Sequence, residues 1–305
     1  MRILFYLSLQ VLLSSISFTT ISYALSANQI AQESYNVNHS IYVKNMMIKK
    51  KGRRSILSVS RVPGKKLRIT ATERYLSNAY EGDIESKDLI IIRSGKLNGL
   101  GVLMTSYIDP KRSHEYLMWI PALRKVRRMA EPKEAGLGAG DIAFLEDAKL
   151  RRFHEESYEL LKTQKMNLPL KMMPFSKGEL GRYSKYIPYK QKSIIRGRNI
   201  HVLKSTYKKK DHWYDYRISY IDSEYFTDYK TDYYKAGKKI KEVYRHWVHL
   251  GNEPDPKSKM WYYWYSKDIE TDYEMMTYVP IKNIKINQKV KKSFWTTQTL
   301  EKIKR

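Results

Sequence analysis

From about residue 55 onward, apolar and polar residues alternate with a period near two, and helical spacing is scarce. Ser55 to Arg61 and Lys66 to Tyr75 read as strands joined by the Pro63-Gly64 turn, followed by a strand over Lys87 to Arg93. Leu100 to Ile108 is a further strand, ended by Asp109-Pro110, and Glu115 to Ile120 pairs with Arg124 to Met129 around Pro121-Ala122-Leu123. Asp147 to Lys162 is charged with a weak helical period, which suggests a short helix or part of a lid. Lys165 to Lys190 carries Pro169, Pro174, Pro188, Gly178 and Gly181 and reads as a loop or crossing segment. Strands then resume over Ile200 to Tyr207, Trp213 to Asp222, Tyr225 to Tyr234, Lys239 to Leu250, Met260 to Tyr265, Tyr273 to Val279 and Ile281 to Ile286. The plainest turns among them are Ala236-Gly237-Lys238 and Gly251-Asn252-Glu253-Pro254. The pattern is that of an antiparallel meander with few helices and no fixed repeat. So many consecutive strands curl into a barrel or half-barrel, whose concave face must be filled by helices, loops or an apolar ligand.

The first residues break this pattern. Arg2 precedes a short apolar run from Ile3 to Leu13, and a Ser/Thr stretch ends in Ser22-Tyr23-Ala24, with small residues placed for signal peptidase. The run is short for a membrane span, so residues 1–24 are expected to be a leader cleaved near Ala24; an uncleaved anchor helix is the alternative. Residues 25–50 then lead into one domain over 51–305. The chain is expected to be exported and to reside in the periplasm.

Export changes the meaning of the charge. Lys plus Arg is 57 against 31 for Asp plus Glu, a formal net charge of +26. For an exported protein, nucleic acid gives way to lipid phosphates, lipopolysaccharide and acidic polysaccharides as polyanionic partners, although basic residues can also merely decorate a solvated face. Runs at Lys49-Lys50-Lys51 with Arg53-Arg54, Lys208 to Lys210, and Lys238-Lys239 with Lys241 fit strand ends or turns near such a surface. With no cysteine in the chain, disulfides, thiolate metal sites, a cysteine nucleophile and lipid attachment at a cysteine are all excluded.

Candidate chemistry is concentrated in one stretch. Arg124, Lys125, Arg127 and Arg128 form the densest basic cluster; on a strand Arg124, Val126 and Arg128 share one face and can bracket a phosphate or carboxylate with forked donors. The same arginines can instead pin a loop through Asp141, Glu146 or Asp147. Leu103, Tyr107, Leu117, Trp119 and Phe144 are candidates to line an apolar cavity or to form ordinary core. The Gly136 to Gly140 loop can offer amides to an anion or simply flex, and lacks the Lys-Ser/Thr ending of a P-loop. His246 and His249 are the only close histidines, and no nucleophile elbow, HExxH or Ser/His/Asp order is present. The residues give no catalytic signal and call for no cofactor and no metal.

Val102 to Lys149 also carries a recognisable pattern: Asp109-Pro110, then Trp119-Ile120-Pro121-Ala122-Leu123-Arg124-Lys125-Val126-Arg127-Arg128-Met129, then Gly140-Asp141-Ile142-Ala143-Phe144-Leu145-Glu146-Asp147. With Tyr233 to Lys238 and Ser293 to Glu301, it resembles the outer membrane lipoprotein-sorting protein family, the LolA-like group of periplasmic carriers. The resemblance runs from about Lys51 to the end. It implies a mainly β, α+β fold: an incomplete antiparallel β-barrel closed by helices or loops around an apolar cavity. It further implies a non-enzymatic carrier that holds the acyl chains of a lipid or lipoprotein. An inner-membrane transporter would be the donor, and an acceptor would lie at the outer membrane. Arg124, Arg127, Arg128 and Asp141 would serve a headgroup or an internal network. The alternative is an envelope protein that binds anionic glycan or lipopolysaccharide through a basic aromatic surface.

Overall fold

In the computed structural model the described residues are 25–52, 55–78, 81–129, 152–188, 193–210 and 212–303. The expected leader over residues 1–24, the Gly136 to Gly140 stretch, Asp141, Phe144, Glu146 and Asp147 lie outside them.

Two antiparallel meanders build one open, 15-stranded sheet. The first comprises β2 (Ile56–Arg61), β3 (Arg68–Ser77), β4 (Ile84–Ile92), β5 (Gly101–Tyr107), β6 (Glu115–Ile120) and β7 (Lys125–Met129). The second comprises β8 (Glu156–Leu170), β9 (Ser193–Tyr207), β10 (Tyr216–Asp222), β11 (Asp228–Lys235), β12 (Lys238–His249), β13 (Lys259–Asp268) and β14 (Glu274–Tyr278). They join where β14 pairs with β2, which leaves β7 and β8 as the two edges. β1 (Asn45–Ile48) pairs with β3 and with β15 (Ile284–Ile286), so residues 25–50 are woven into the same sheet.

Most strands fall where alternation predicts them, within a few residues at their ends. The expected short helix over Asp147 to Lys162 is reduced, where it is described, to a single 3-10 turn at Phe153–Glu155, because Glu156–Leu170 forms a long hairpin with β9. Its polar residues alternate with Tyr158 and Leu160, which face an apolar cluster, so the segment satisfies a period of two. The predicted loop from Lys165 correspondingly starts six residues later, at Lys171.

Helix α1 (Ala27–Asn38) shows how the sheet curls. Ser26 and Gln29 form a reciprocal capping box at its start. Ile30, Ala31 and Val37 pack on Leu203 of β9, Ile221 of β10 and Tyr158 and Leu160 of β8. Yet Tyr35 on the same helix donates to Glu85 of β4 at 3.2 Å. In sheet order β4 and β10 stand seven places apart, about 33 Å across a flat sheet at the usual strand spacing, whereas a helix of 12 residues is roughly 18 Å long. One helix reaches both only because the sheet bends around it, which makes the face it occupies the concave one. The edges approach each other too: Arg152, just before β8, donates to His114 at 3.1 Å and to the Pro110 carbonyl at 3.0 Å, both on the β5–β6 turn. Among the described residues no ladder joins β7 to β8, so the barrel stays incomplete.

Chain segments cover the convex face. Residues 171–187, with the short helix α2 (Lys177–Leu180), run from β12 to β2: Lys171 pairs with Glu242 at 2.7 Å, Met173 N–H donates to Tyr263 at 3.1 Å, and Arg61 bonds the Pro174 carbonyl at 2.7 Å. Beneath them lie Leu57, Val59, Tyr244, Tyr265 and Met276. The C-terminal stretch with α3 (Thr297–Glu301) covers β3 to β6 through Trp295, Leu300 and Ile303. It comes so close to β5 that a Cβ at Gly101 would collide with Ile303 and Leu300.

A buried carboxylate ties the β9, β10 and β11 ends together. Asp222, fully buried, accepts from Arg198 at 2.8 and 2.9 Å, from Tyr229 at 3.0 Å, and from the backbone N–H groups of Glu224 and Tyr225. Burial pushes its carboxyl up, but these donors outweigh it and hold it below the ordinary carboxylate value. A group whose folded value is depressed stabilises the fold above its unfolded value, about 3.9, and that contribution is lost as pH falls through the folded value. Asp222→Asn should therefore flatten the acid limb of stability below about pH 4. The check is urea midpoints read across that range; an unchanged slope would remove Asp222 from the account.

Candidate functional site

The concave face has two walls. Even-numbered residues of β3 and β4 point inward, and strand pairing carries that parity across to β5 and β6. Ile90, Ile92, Leu100, Val102, Met104 and Tyr116 form an apolar patch on this wall, with Leu97, Met118 and Met129 packed against it and the hydroxyls of Thr70, Thr72 and Ser86 on the same face. Two charges interrupt it: Arg74 and Asp88, both buried and paired at 2.7 Å.

The opposite wall, on β9 to β14 and β2, mixes small hydroxyl residues, Ser205, Ser219, Thr231, Ser266, Thr277 and Ser58, with an apolar cluster of Tyr233, Val243, Trp264 and Met275 on the same face. Ser58 and Thr277 bond at 3.0 Å, and Ser219 and Thr231 at 3.3 Å. Two buried ion pairs stand among them. Arg245 donates to Asp228 at 2.8 Å, and Arg217 clasps Glu156 through two bonds of 2.9 and 2.6 Å, with Tyr214 adding a third at 2.8 Å. Burial disfavours charge on Arg217, but Glu156 overrides it and holds the guanidinium well above its ordinary pKa. A concave face that combines apolar patches with hydroxyls and buried ion pairs is suited to an amphiphile.

α1 occupies one end of this trough. Near it Glu85 is raised above the usual carboxylate range by burial, against the lowering influence of Tyr35 and Arg152. The other end of β4 opens into a cleft of about 400 Å³ lined by Arg68, Ile69, Thr70, Ile92, Ser94, Gly95, Lys96 and Leu97. Gly95, at φ +69°, lets the chain turn sharply out of β4, which places Lys96 at the rim.

The residues singled out from the sequence occupy other places. Leu103, Leu117 and Trp119 come together, but on the convex face, packed with Trp295 and Leu300 beneath the C-terminal stretch. Tyr107 sits at the end of β5, half-buried, with the Arg112 guanidinium 3.5 Å from its ring centre. Arg124 is not on a strand: it takes a left-handed φ of +48° in the β6–β7 turn, and β7 begins at Lys125. The expected Arg124/Arg128 bracket across one strand face is therefore not formed. Arg127 and Arg128 point to opposite faces of β7, both exposed, and Arg128 stands 3.9 Å from Glu115. Nor do His246 and His249 meet: one is buried against the Lys171 carbonyl, the other bonds the Gly251 and Asp255 carbonyls. Among the described residues no cluster of His, Asp or Glu is placed to hold a metal, and no helix is long and apolar enough to cross a membrane.

Sequence reasoning missed the apolar patch as a site, although it placed the strands that carry it. Ile90 and Ile92 alternate with Leu89 and Ile91 in an unbroken apolar run, and such a run does not tell which face is lined and which is packed.

No protein-family model matches the chain, and no curated sequence matches it. Solved structures do. A Vibrio parahaemolyticus domain named for outer membrane lipoprotein sorting superposes with a TM-score of 0.65 at 14% identity, covering 90% of this chain and 98% of its own. A DUF1329 family protein from Desulfovibrio piger gives 0.61 at 13% identity with the same coverage. A LolA superfamily protein from Nitrosomonas europaea gives 0.54 at 11%, covering 90% of this chain and all of its own. The chain thus has the LolA-like fold, mainly antiparallel β in one open, curled sheet.

Proposed function

From this shared fold we propose that the protein is a non-enzymatic carrier that takes an amphiphile, a lipid or the lipidated part of a protein, into its curled sheet and carries it through the periplasm towards the outer membrane. The observation that carries the reading is the concave apolar patch of Ile90, Val102, Met104 and Tyr116, which adjoins an open cleft at Ile92 and Leu97. Each methylene moved from water onto such a patch contributes about 0.8 kcal/mol. Passing chains from one apolar environment to another is nearly isoenergetic, so transfer needs no cofactor and no chemical step. The donor in this scheme is an inner-membrane transporter and the acceptor an outer-membrane component. Residues 1–24 act as the export signal, cleaved near Ala24.

The test is extraction of the natively purified protein followed by lipid mass spectrometry. A stoichiometric acyl-containing species is the expected result; protein that purifies empty and takes up no amphiphile rejects the carrier role.

A second role has its own observation. Arg124 in the β6–β7 turn and Lys125, Arg127 and Arg128 on the edge strand β7 are all exposed, Arg127 on the face that carries Met118 and Arg128 on the opposite one. They suit contact with an anionic surface, the headgroups of a membrane or the phosphates of lipopolysaccharide, at roughly 1 kcal/mol per well-placed charge. Arg124→Ala/Arg127→Ala/Arg128→Ala should then weaken binding to anionic vesicles and leave amphiphile uptake intact, as read by vesicle co-sedimentation.

A further inference from the structure

We infer that one turn end of the first meander is the face by which the protein docks on an anionic bilayer, with the cleft beside the β4–β5 turn opening onto it. This deepens the second role, contact with an anionic surface, and rests on the carrier reading only for what passes through the cleft. The β2–β3, β4–β5 and β6–β7 turns stand at the same end of the sheet, because Ser60 pairs with Arg68, Ile91 with Gly101 and Ile120 with Lys125. Successive turns at one end of a meander lie two strand spacings apart, about 10 Å, so the group spans roughly 20 Å. Lys65 and Lys66 stand in the first turn, Lys96 in the second and Arg124 in the third, with Lys125 opening β7. All are exposed, and none is in an ion pair among the described residues. Neither Asp nor Glu occurs in residues 62–67, 93–100 or 121–124.

The surroundings set this end apart. At the opposite end of the same strands, the β3–β4 and β5–β6 turns carry Glu81, Asp83 and Asp109 beside Lys111 and Arg112, and Arg112 pairs with Asp83. On the flank, the β13–β14 turn next to β2 carries Glu270 and Asp272, both exposed. The first meander is therefore polarised along its strands, and cations gathered at one end orient a protein on lipid phosphates as well as attract it. A bilayer is the partner that this end fits, because the cleft opens there, and Ile92 and Leu97 line it while belonging to the concave apolar patch. A chain drawn from a bilayer through that opening reaches Ile90 and Val102 without crossing water, whereas a soluble polyanion would give the opening nothing apolar to face.

The test is co-sedimentation with vesicles of phosphatidylglycerol and phosphatidylcholine, comparing the protein with Lys65→Ala/Lys66→Ala/Lys96→Ala and with Lys282→Ala/Lys285→Ala/Lys289→Ala. The second variant removes the same charge from exposed positions around β15, which lies beside the far half of β3 through β1. The expected result is vesicle affinity roughly a hundredfold lower in the first variant, at about one kcal/mol for each lost charge, and little changed in the second. The chain has no cysteine, so a polarity-sensitive dye on Ala122→Cys or on Asn252→Cys reports contact at one place. Its emission should shift to the blue on vesicles at Ala122→Cys, in the β6–β7 turn, and not at Asn252→Cys, in the β12–β13 turn. Equal losses in the two alanine variants, or equal dye shifts, overturn the docking end and leave a general attraction to anionic surfaces, so the second role survives. An unchanged first variant also overturns it, and Arg124→Ala/Arg127→Ala/Arg128→Ala then decides the second role separately. Equal loss of affinity for soluble dextran sulfate, with no dye shift on vesicles, assigns the end to a soluble polyanion and rejects the bilayer.

Discussion

Trp295→Ala should lower the unfolding free energy by about 3–5 kcal/mol, the largest effect expected of any single truncation in the C-terminal stretch. The indole is 4% exposed, donates from Nε1 to the Tyr75 carbonyl at 2.8 Å, and packs with Leu89, Ile91, Leu103 and Trp119. Truncation removes the transfer energy of the ring, leaves a cavity under α3 and strips a partner from a buried carbonyl. Trp295→Phe keeps most of the volume and should cost only part of this. Denaturant midpoints measure both, and a loss below 1 kcal/mol in the alanine variant would mean that the stretch does not dock in solution. The same variant tests the place of Leu103, Leu117 and Trp119. As core under a cover they predict lost stability with undiminished affinity for amphiphile in the molecules that remain folded. As cavity walls they would predict both losses together.

That distinction was the one the sequence could not carry. Alternation in β2 to β6 and β10 to β14 predicts strands, and hence the meander, because a period of two is a property of each segment alone. Which face a residue lines depends on the curl, and the curl is visible only in contacts such as Tyr35 to Glu85, fifty residues apart. The basic cluster shows the same limit on a smaller scale. Arg124 and Arg128 share parity on paper, but a left-handed turn at Arg124 moves the strand start by one residue and the pair dissolves. Helix α1 is signalled by Ser26 and Gln29, a capping-box spacing two residues past the expected cleavage site. β8 is hidden by its charges: Glu156, Glu159, Lys162 and Lys165 recur every third residue, which mimics a helix, while register shifts after Leu160 and Met166 fit that spacing to a strand.

Glu156→Gln should destabilise the protein by about 3–5 kcal/mol through the charge it abandons. Arg217 lies on the inner wall with its side chain 12% exposed, and Glu156, at 2%, supplies its carboxylate partner there; Ser219 takes one further N–H at 2.8 Å. An amide can accept one of the two guanidinium bonds but cannot balance the charge, so a cation would remain in a desolvated site. Arg217→Met/Glu156→Gln removes the charge together with its partner and should recover most of the loss, by the logic that breaking a buried pair costs more than deleting it. A double-mutant cycle on unfolding free energies reads the coupling directly. The consequence extends beyond stability, because Glu156 opens β8 four residues after Arg152, which reaches across to His114. The Arg217–Glu156 pair thus fixes one edge of the curl against the β5–β6 turn at the other. If the carrier role holds, Glu156→Gln should also speed exchange of bound amphiphile, since a loosened edge exposes the trough more often. The double variant separates the two effects. If it restores stability but not slow exchange, the charge pair itself closes the barrel; if it restores both, packing at the edge is sufficient.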